Sequence, residues 1–220
     1  MVVKQTTEKT LAETPHAENR VLLRDVTWQA YEAILSTRGE RRSPRLSYYK
    51  GLLEFMAPLE EHENSSILID KFINIVTEEK GLELKSLAST TLNRPDLKVG
   101  AEPDQCYYIA NEGIVRGKKV DLNIDPPPDL VIEVDITNTN LNKNALYADL
   151  GVPEFWRFNG QTLTIYQLQD GRYEEVTRSP TFPKIPKDAL YQFLSDCRQQ
   201  GETSAKRVFR ESLRGTENQI

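Results

Sequence analysis

The chain has 220 residues, a net charge of −5 and 28% charged side chains. That length suffices for one sizeable core, and the acidic balance argues against a protein that coats nucleic acid indiscriminately. No apolar run approaches the roughly 20 residues that span a bilayer, residues 1–20 hold no apolar signal core, and Cys106 and Cys197 match no zinc or redox spacing, so a cytoplasmic chain with reduced thiols and no membrane partner is expected.

Residues 1–20 are polar and aperiodic and read as a flexible arm. Val26-Thr27-Trp28 opens a short helix with Tyr31 and Leu35 on one face. The basic cluster Arg38, Arg41, Arg42, Arg45 and Lys50 reads as a solvated loop before it reads as a phosphate patch. Leu46 to Met56 forms a hairpin around Lys50-Gly51, ended by Pro58. Ile67, Leu68, Phe72, Ile75 and Val76 recur at helical spacing up to Gly81. Leu82 to Leu87 and Cys106 to Ile109 read as strands, separated by a turn-rich excursion from Thr90 to Gly100. Asp125-Pro126-Pro127-Pro128 leads rigidly into Asp129-Leu130-Val131-Ile132-Glu133-Val134, the strongest strand of the sequence. A helix from Leu141 to Leu150 stops at Gly151 and Pro153. Glu154 to Phe158 and Thr162 to Leu168 pair around Asn159-Gly160, Tyr173 to Val176 follows, and Ala189 to Cys197 is a closing helix. Residues 201–220 read as a second flexible tail. The order predicts one domain over 21–200, a mixed α/β core with flanking helices.

Strand alternation places Leu130, Ile132 and Val134 on one face and Asp129, Val131, Glu133 and Asp135 on the other. Carboxylates on an otherwise apolar strand are costly to bury unless paired, protonated or bound to metal. An edge strand with a wet face is the bland alternative. Asp104, after Pro103, stands just before another strand and by itself is an ordinary turn residue. Paired with Glu133, it could hold a hard cation such as Mg2+ or Mn2+, which needs only one or two carboxylates beside water and phosphate. Lys143 and Tyr147 lie one helical turn apart on one face; a lysine there could orient or activate an attacking water, or offset phosphate charge. His62, within Glu60-Glu61-His62-Glu63, suits either a site or a well-charged helix start. With His16 in the arm, zinc chemistry built on histidines is excluded, and no phosphate-cradling glycine loop or nucleophile elbow is present.

These residues resemble the PD-(D/E)XK nuclease superfamily. More closely, they resemble a bacterial family of small proteins of the Uma type, classed with restriction endonucleases. The matching stretches are Glu54-Phe55-Met56-Ala57-Pro58, Glu61-His62-Glu63, Glu102-Pro103-Asp104, Pro127 to Val134, Lys143 with Tyr147, and Gly151 to Trp156. The resemblance implies a restriction-endonuclease-like fold, a central mixed β-sheet flanked by α-helices. It implies Asp104 and Glu133 as metal ligands and DNA as partner, with a homodimer as the assembly. The superfamily lysine belongs two residues after Glu133, where Asp135 stands; Lys143 in the next helix takes its place. His62 or Glu63 would come from the early helix. Two other readings stay open: a non-catalytic binding or assembly protein on a decayed nuclease scaffold, and a phosphodiesterase acting on RNA or nucleotides.

Overall fold

The computed structural model describes residues 18–39 and 43–217. Most of the expected N-terminal arm, and Arg41 and Arg42, lie outside them. The mixed α/β class is as expected, but the single central sheet is divided in two.

The first sheet is wholly antiparallel. It orders β1 (Glu18–Leu23), β3 (Leu52–Pro58), β2 (Arg45–Tyr49), β6 (Val99–Ala101) and β5 (Leu92–Arg94). Lys50 and Gly51 both take positive φ (49° and 82°), which lets two residues join β2 to β3. Register gives this sheet two unlike faces. Leu46, Tyr48 and Leu53 pack with Trp28 and Tyr31 of α1 (Trp28–Arg38), whose first turn is capped by the Thr27 hydroxyl. Gly100 is required there: a Cβ would lie 2.1 Å from the Tyr31 hydroxyl. The opposite face carries Glu18, Arg20, Arg45 and Glu54, because paired residues project the same way.

The second sheet orders β11 (Arg172–Val176), β10 (Leu163–Gln169), β9 (Glu154–Phe158), β8 (Leu130–Val134), β7 (Gln105–Tyr108) and β4 (Lys85–Ser86), with only β8 and β9 parallel. A parallel pair needs a crossover, and α4 (Lys143–Asp149) lies in it. Leu130, Ile132 and Val134 enter an apolar cluster with side chains of α2 (Glu60–Glu79), α5 (Lys187–Gln200) and α6 (Glu202–Glu217). Val131 enters another with Leu146, Tyr147 and Phe155.

Three expectations are corrected. The excursion from Thr90 to Gly100 carries β5 and the start of β6, while only Lys85–Ser86 of the expected Leu82–Leu87 strand pairs. The supposed C-terminal tail is α6: Ala205, Phe209 and Leu213 recur every four residues, and that stripe is buried. The Phe209 ring stacks 4.7 Å from Phe72. Within the basic cluster, Arg38 and Arg45 are bound to carboxylates rather than solvated.

Candidate active site

Glu102-Pro103-Asp104 carries the chain from β6 of one sheet to β7 of the other, so the residues after Pro103 sit at the seam. Glu102 stays with the first sheet. Its backbone N–H donates to Leu46 O at 2.9 Å, and its carboxylate accepts from Arg38, Thr91 and Leu46 N. Asp104 belongs to the second. Gln105 opposes Ile132 across β7 and β8, and one step further along this register sets Asp104 against Glu133. The Val134 N–H donates to Asp104 Oδ2 at 2.6 Å, extending the ladder through a side chain.

The edge-strand alternative fails. β8 lies between β7 and β9, and Glu133 is 1% exposed. Its partners come from α4: Lys143 Nζ donates to Glu133 Oε2 at 2.7 Å, and the Tyr147 hydroxyl donates to Oε1. Lys143 Nζ also lies 2.8 Å from Asp135 Oδ1. Asp135 stands two residues after Glu133, and the lysine that reaches both carboxylates comes from the next helix. Asp129 shares the pattern but not the site; it accepts from Ile109 N and Asn111 N and ties down that loop.

His62, fully buried in the first turn of α2, bridges two carboxylates. Its Nδ1 lies 2.8 Å from Glu18 Oε1 and its Nε2 2.8 Å from Asp104 Oδ1. Arg45 Nη1 reaches the same Asp104 oxygen at 2.6 Å, and Arg45 Nη2 reaches Glu63 at 3.1 Å. Glu63 is therefore a rim residue, joined to the cluster among the described residues through Arg45. Arg20 closes the other side, donating to Glu18, to Glu54 at 2.7 Å and to Asp135 at 2.9 Å. Arg157 holds Asp135 Oδ2 at 3.1 Å. The sequence reading gave no role to Glu18, Arg20 or Arg157, placed Arg45 only in the basic cluster, and assigned Glu54 to no site. For Glu18 and Arg20 the signal was the two-residue alternation of charge in Glu18-Asn19-Arg20, which resembles a polar arm unless its partners are known.

The charges sort by these contacts. Burial opposes ionisation of His62, but hydrogen bonds to Asp104 and Glu18 outweigh it and raise its pKa to about 9. It is a cation at neutral pH, and both nitrogens donate. Burial opposes the charge on Lys143 too, yet Asp135 and Glu133 hold it well above the usual lysine value. Burial would raise Asp104, but the His62 hydrogen bond and the nearby cations keep it below the ordinary carboxylate value. Glu133 goes the other way. Burial, aided by the charges of Asp104 and Asp135, pushes it up to about 7 despite Lys143.

Residues 28–193 match the profile of the Uma2 family, described as “Putative restriction endonuclease”. The chain belongs to the Uma2 family. No curated protein gives a significant match. The chain is also similar to the crystal structure of “a putative nuclease belonging to DUF820” from Anabaena variabilis ATCC 29413, at 19% identity and a TM-score of 0.54, covering 76% of this chain and 97% of that one. That likeness shows the fold alone: this Uma2 chain shares the mixed α/β architecture of that structure.

Among the described residues there is no cluster of three or more His, Cys, Asp or Glu arranged to hold a metal. Magnesium does not need one, since one or two carboxylates with water and substrate phosphate suffice. Asp104 and Glu133 are such a pair: hard oxygen donors on adjacent strands, close enough for Asp104 to disfavour the charge on Glu133. The donor set fits. No helix of the described residues is long and apolar enough to cross a membrane.

Proposed function

We propose that this Uma2 protein is a magnesium- or manganese-dependent endonuclease that hydrolyses phosphodiester bonds in DNA, in the cytoplasm and as a homodimer. The observation that carries the reading is the buried convergence of Asp104, Glu133 and Lys143, with Lys143 Nζ 2.7 Å from Glu133. Asp104 and Glu133 are the residues that would hold the cation. Bound there, a hard cation supplies Lewis-acid stabilisation of charge building on the transferring phosphoryl group.

The protein's own groups divide the remaining work. Asp135 and Glu133 favour the charged form of Lys143, so its part would be to offset negative charge or to orient the attacking water through a hydrogen bond. Burial and the neighbouring carboxylates push Glu133 up to about 7, and a cation held there would offset that cost by favouring the charged carboxylate. Tyr147 and Lys143 fix that carboxylate from both sides. His62 and Arg45 position Asp104, and Arg20 and Arg157 position Asp135.

One observation favours a second reading, a non-catalytic scaffold: both oxygens of Asp104 and of Glu133 already have protein partners. The deciding experiment titrates magnesium and manganese into wild type and Glu133→Ala. Cleavage of plasmid, single-stranded DNA and RNA is scored alongside thermal stability. Metal-dependent cleavage of DNA by wild type alone is expected, with a metal-induced rise in Tm. Equal cleavage by Glu133→Ala sinks the proposed site. No cleavage and no stabilisation in either protein selects the scaffold.

A further inference from the structure

The row of site residues does not end at Glu133. In the parallel register Glu133 is paired with Arg157 of β9, and Arg157 is paired with Thr164 of β10. Paired residues project from the same face. Glu133, Arg157 and Thr164 therefore form one line across β8, β9 and β10, and Asp104, immediately before β7, extends it at one end.

At the far end of that line lies a cleft of about 250 Å³ whose lining includes Asp135, Thr137, Asn138, Thr139, Arg157 and Thr164. The hydroxyls of Thr137 and Thr139 are committed to Glu18 and Glu54. The hydroxyl of Thr164 has no partner among the described residues. The cleft is smaller than the roughly 300–1,000 Å³ typical of small-molecule pockets. It suits a phosphate with part of its sugar rather than a whole free ligand.

Arg157 differs from the other cations of the cluster. The side chains of Arg20, Arg45 and Lys143 are 10%, 10% and 2% exposed, whereas that of Arg157 is 34% exposed. Its charge is also not spent on one partner. Asp135 is shared by Lys143, Arg20 and Arg157. Nε and Nη2 of Arg157 hold Asp135 at 3.2 and 3.1 Å, while Nη1 makes only a 3.4 Å contact with Asn144 Oδ1. A guanidinium anchored along one edge and open along the other is preorganised to grip a phosphate.

We propose that Arg157, assisted by the Thr164 hydroxyl, is a binding subsite for a backbone phosphate of the nucleic acid, next to the bond at the carboxylate pair. The proposal rests on the nuclease reading above for the identity of its ligand. It adds a substrate contact that lies outside the residues holding the cation.

The test measures binding of a fluorescein-labelled duplex, and of one of its strands, across a salt series. Calcium replaces magnesium so that no cleavage intervenes. Arg157→Ala should weaken binding by about tenfold or more and lower the slope of log affinity against log salt by about one. Arg157→Lys should retain the slope, because it keeps the charge, while losing part of the affinity with the fork. Thr164→Val, which keeps the side-chain shape, should weaken binding several-fold with the slope unchanged. If Arg157→Ala does not fold, Arg157→Lys and Thr164→Val carry the test, and wild-type affinity in both overturns the subsite. An unchanged slope in folded Arg157→Ala overturns it too, as does wild type that binds neither probe. Slope and affinity changes as expected, in a protein that cleaves nothing with magnesium, uphold the subsite and remove the nuclease reading. Cleavage by wild type with no binding change in Arg157→Ala does the reverse.

Discussion

On one face of β8, Leu130, Ile132 and Val134 join Phe72, Phe193 and Phe209 in an apolar cluster. On the other, Glu133 and Asp135 are buried nearly as deeply, at 1% and 8% exposure, among Lys143, Arg20, Arg157 and Tyr147. The apolar face is held by non-directional contact, which tolerates small changes of shape. The charged face is held by pairing, and each partner removed leaves a charge stranded. Its partners are also remote in sequence: Arg20 and Asp135 are 115 residues apart. A charged face inside a fold thus requires the whole chain to close around it.

The comparison is sharpest where each face loses one large side chain. Arg20→Met should cost about 3–5 kcal/mol at neutral pH, because Glu18, Glu54 and Asp135 lose a shared cation. Phe209→Ala should cost a similar ~3–5 kcal/mol, from lost packing against Phe72 and Phe193. Acid separates them. Glu18 and Asp135 have depressed pKa values in the folded protein, burial notwithstanding, because their partners favour the charged form. Their contribution is present above the unfolded carboxylate values and is lost as pH falls through the folded ones. The Arg20→Met deficit should therefore shrink in acid while the Phe209→Ala deficit stays constant. Urea denaturation of both variants at neutral and acid pH measures this. An Arg20→Met protein as stable as wild type breaks the contrast.

A smaller effect comes from His62. Its pKa is raised to about 9 in the fold, against about 6.5 unfolded. The stabilisation is complete below about pH 6.5 and is lost as pH rises through 9, a swing of up to about 3 kcal/mol. Glu133, raised to about 7, adds a loss of the same sign at lower pH, above the unfolded glutamate value. His62→Gln should flatten the upper limb of the profile and leave the lower one. A wild-type stability that rises between about pH 7 and 9 contradicts the charged imidazole.

The two faces were not equally legible. The alternation in Asp129 to Val134 showed which side chains oppose which, and α4 brought Lys143 and Tyr147 to Glu133 as their helical spacing suggested. Asp104 could be placed because it precedes a strand. Glu18 and Arg20 could not, because burial through ion pairing leaves no hydrophobic pattern and their partners lie far along the chain. The division of the sheet was hidden for a related reason: β4, β5 and β6 are two or three residues long, too short for a period to register. The helix α6 was legible in principle through Ala205, Phe209 and Leu213. The charges between them, following Gly201, make the same stretch read as a polar tail.

The smallest stability effects test the contrast within two adjacent residues. Ile132→Val removes one methylene from the apolar face and should cost about 0.5–1.5 kcal/mol, with cleavage unchanged. Glu133→Gln removes a charge that burial, Asp104 and Asp135 all disfavour, and it keeps an oxygen for Lys143 or Tyr147. Stability should stay within about 1 kcal/mol of wild type, because Lys143 retains Asp135 at 2.8 Å. Cleavage should nonetheless fall by about 10²–10⁴. Paired denaturation and cleavage assays on the two variants decide it. If Glu133→Gln cleaves like wild type, the carboxylate is only packing, and the two faces of β8 differ in chemistry but not in purpose.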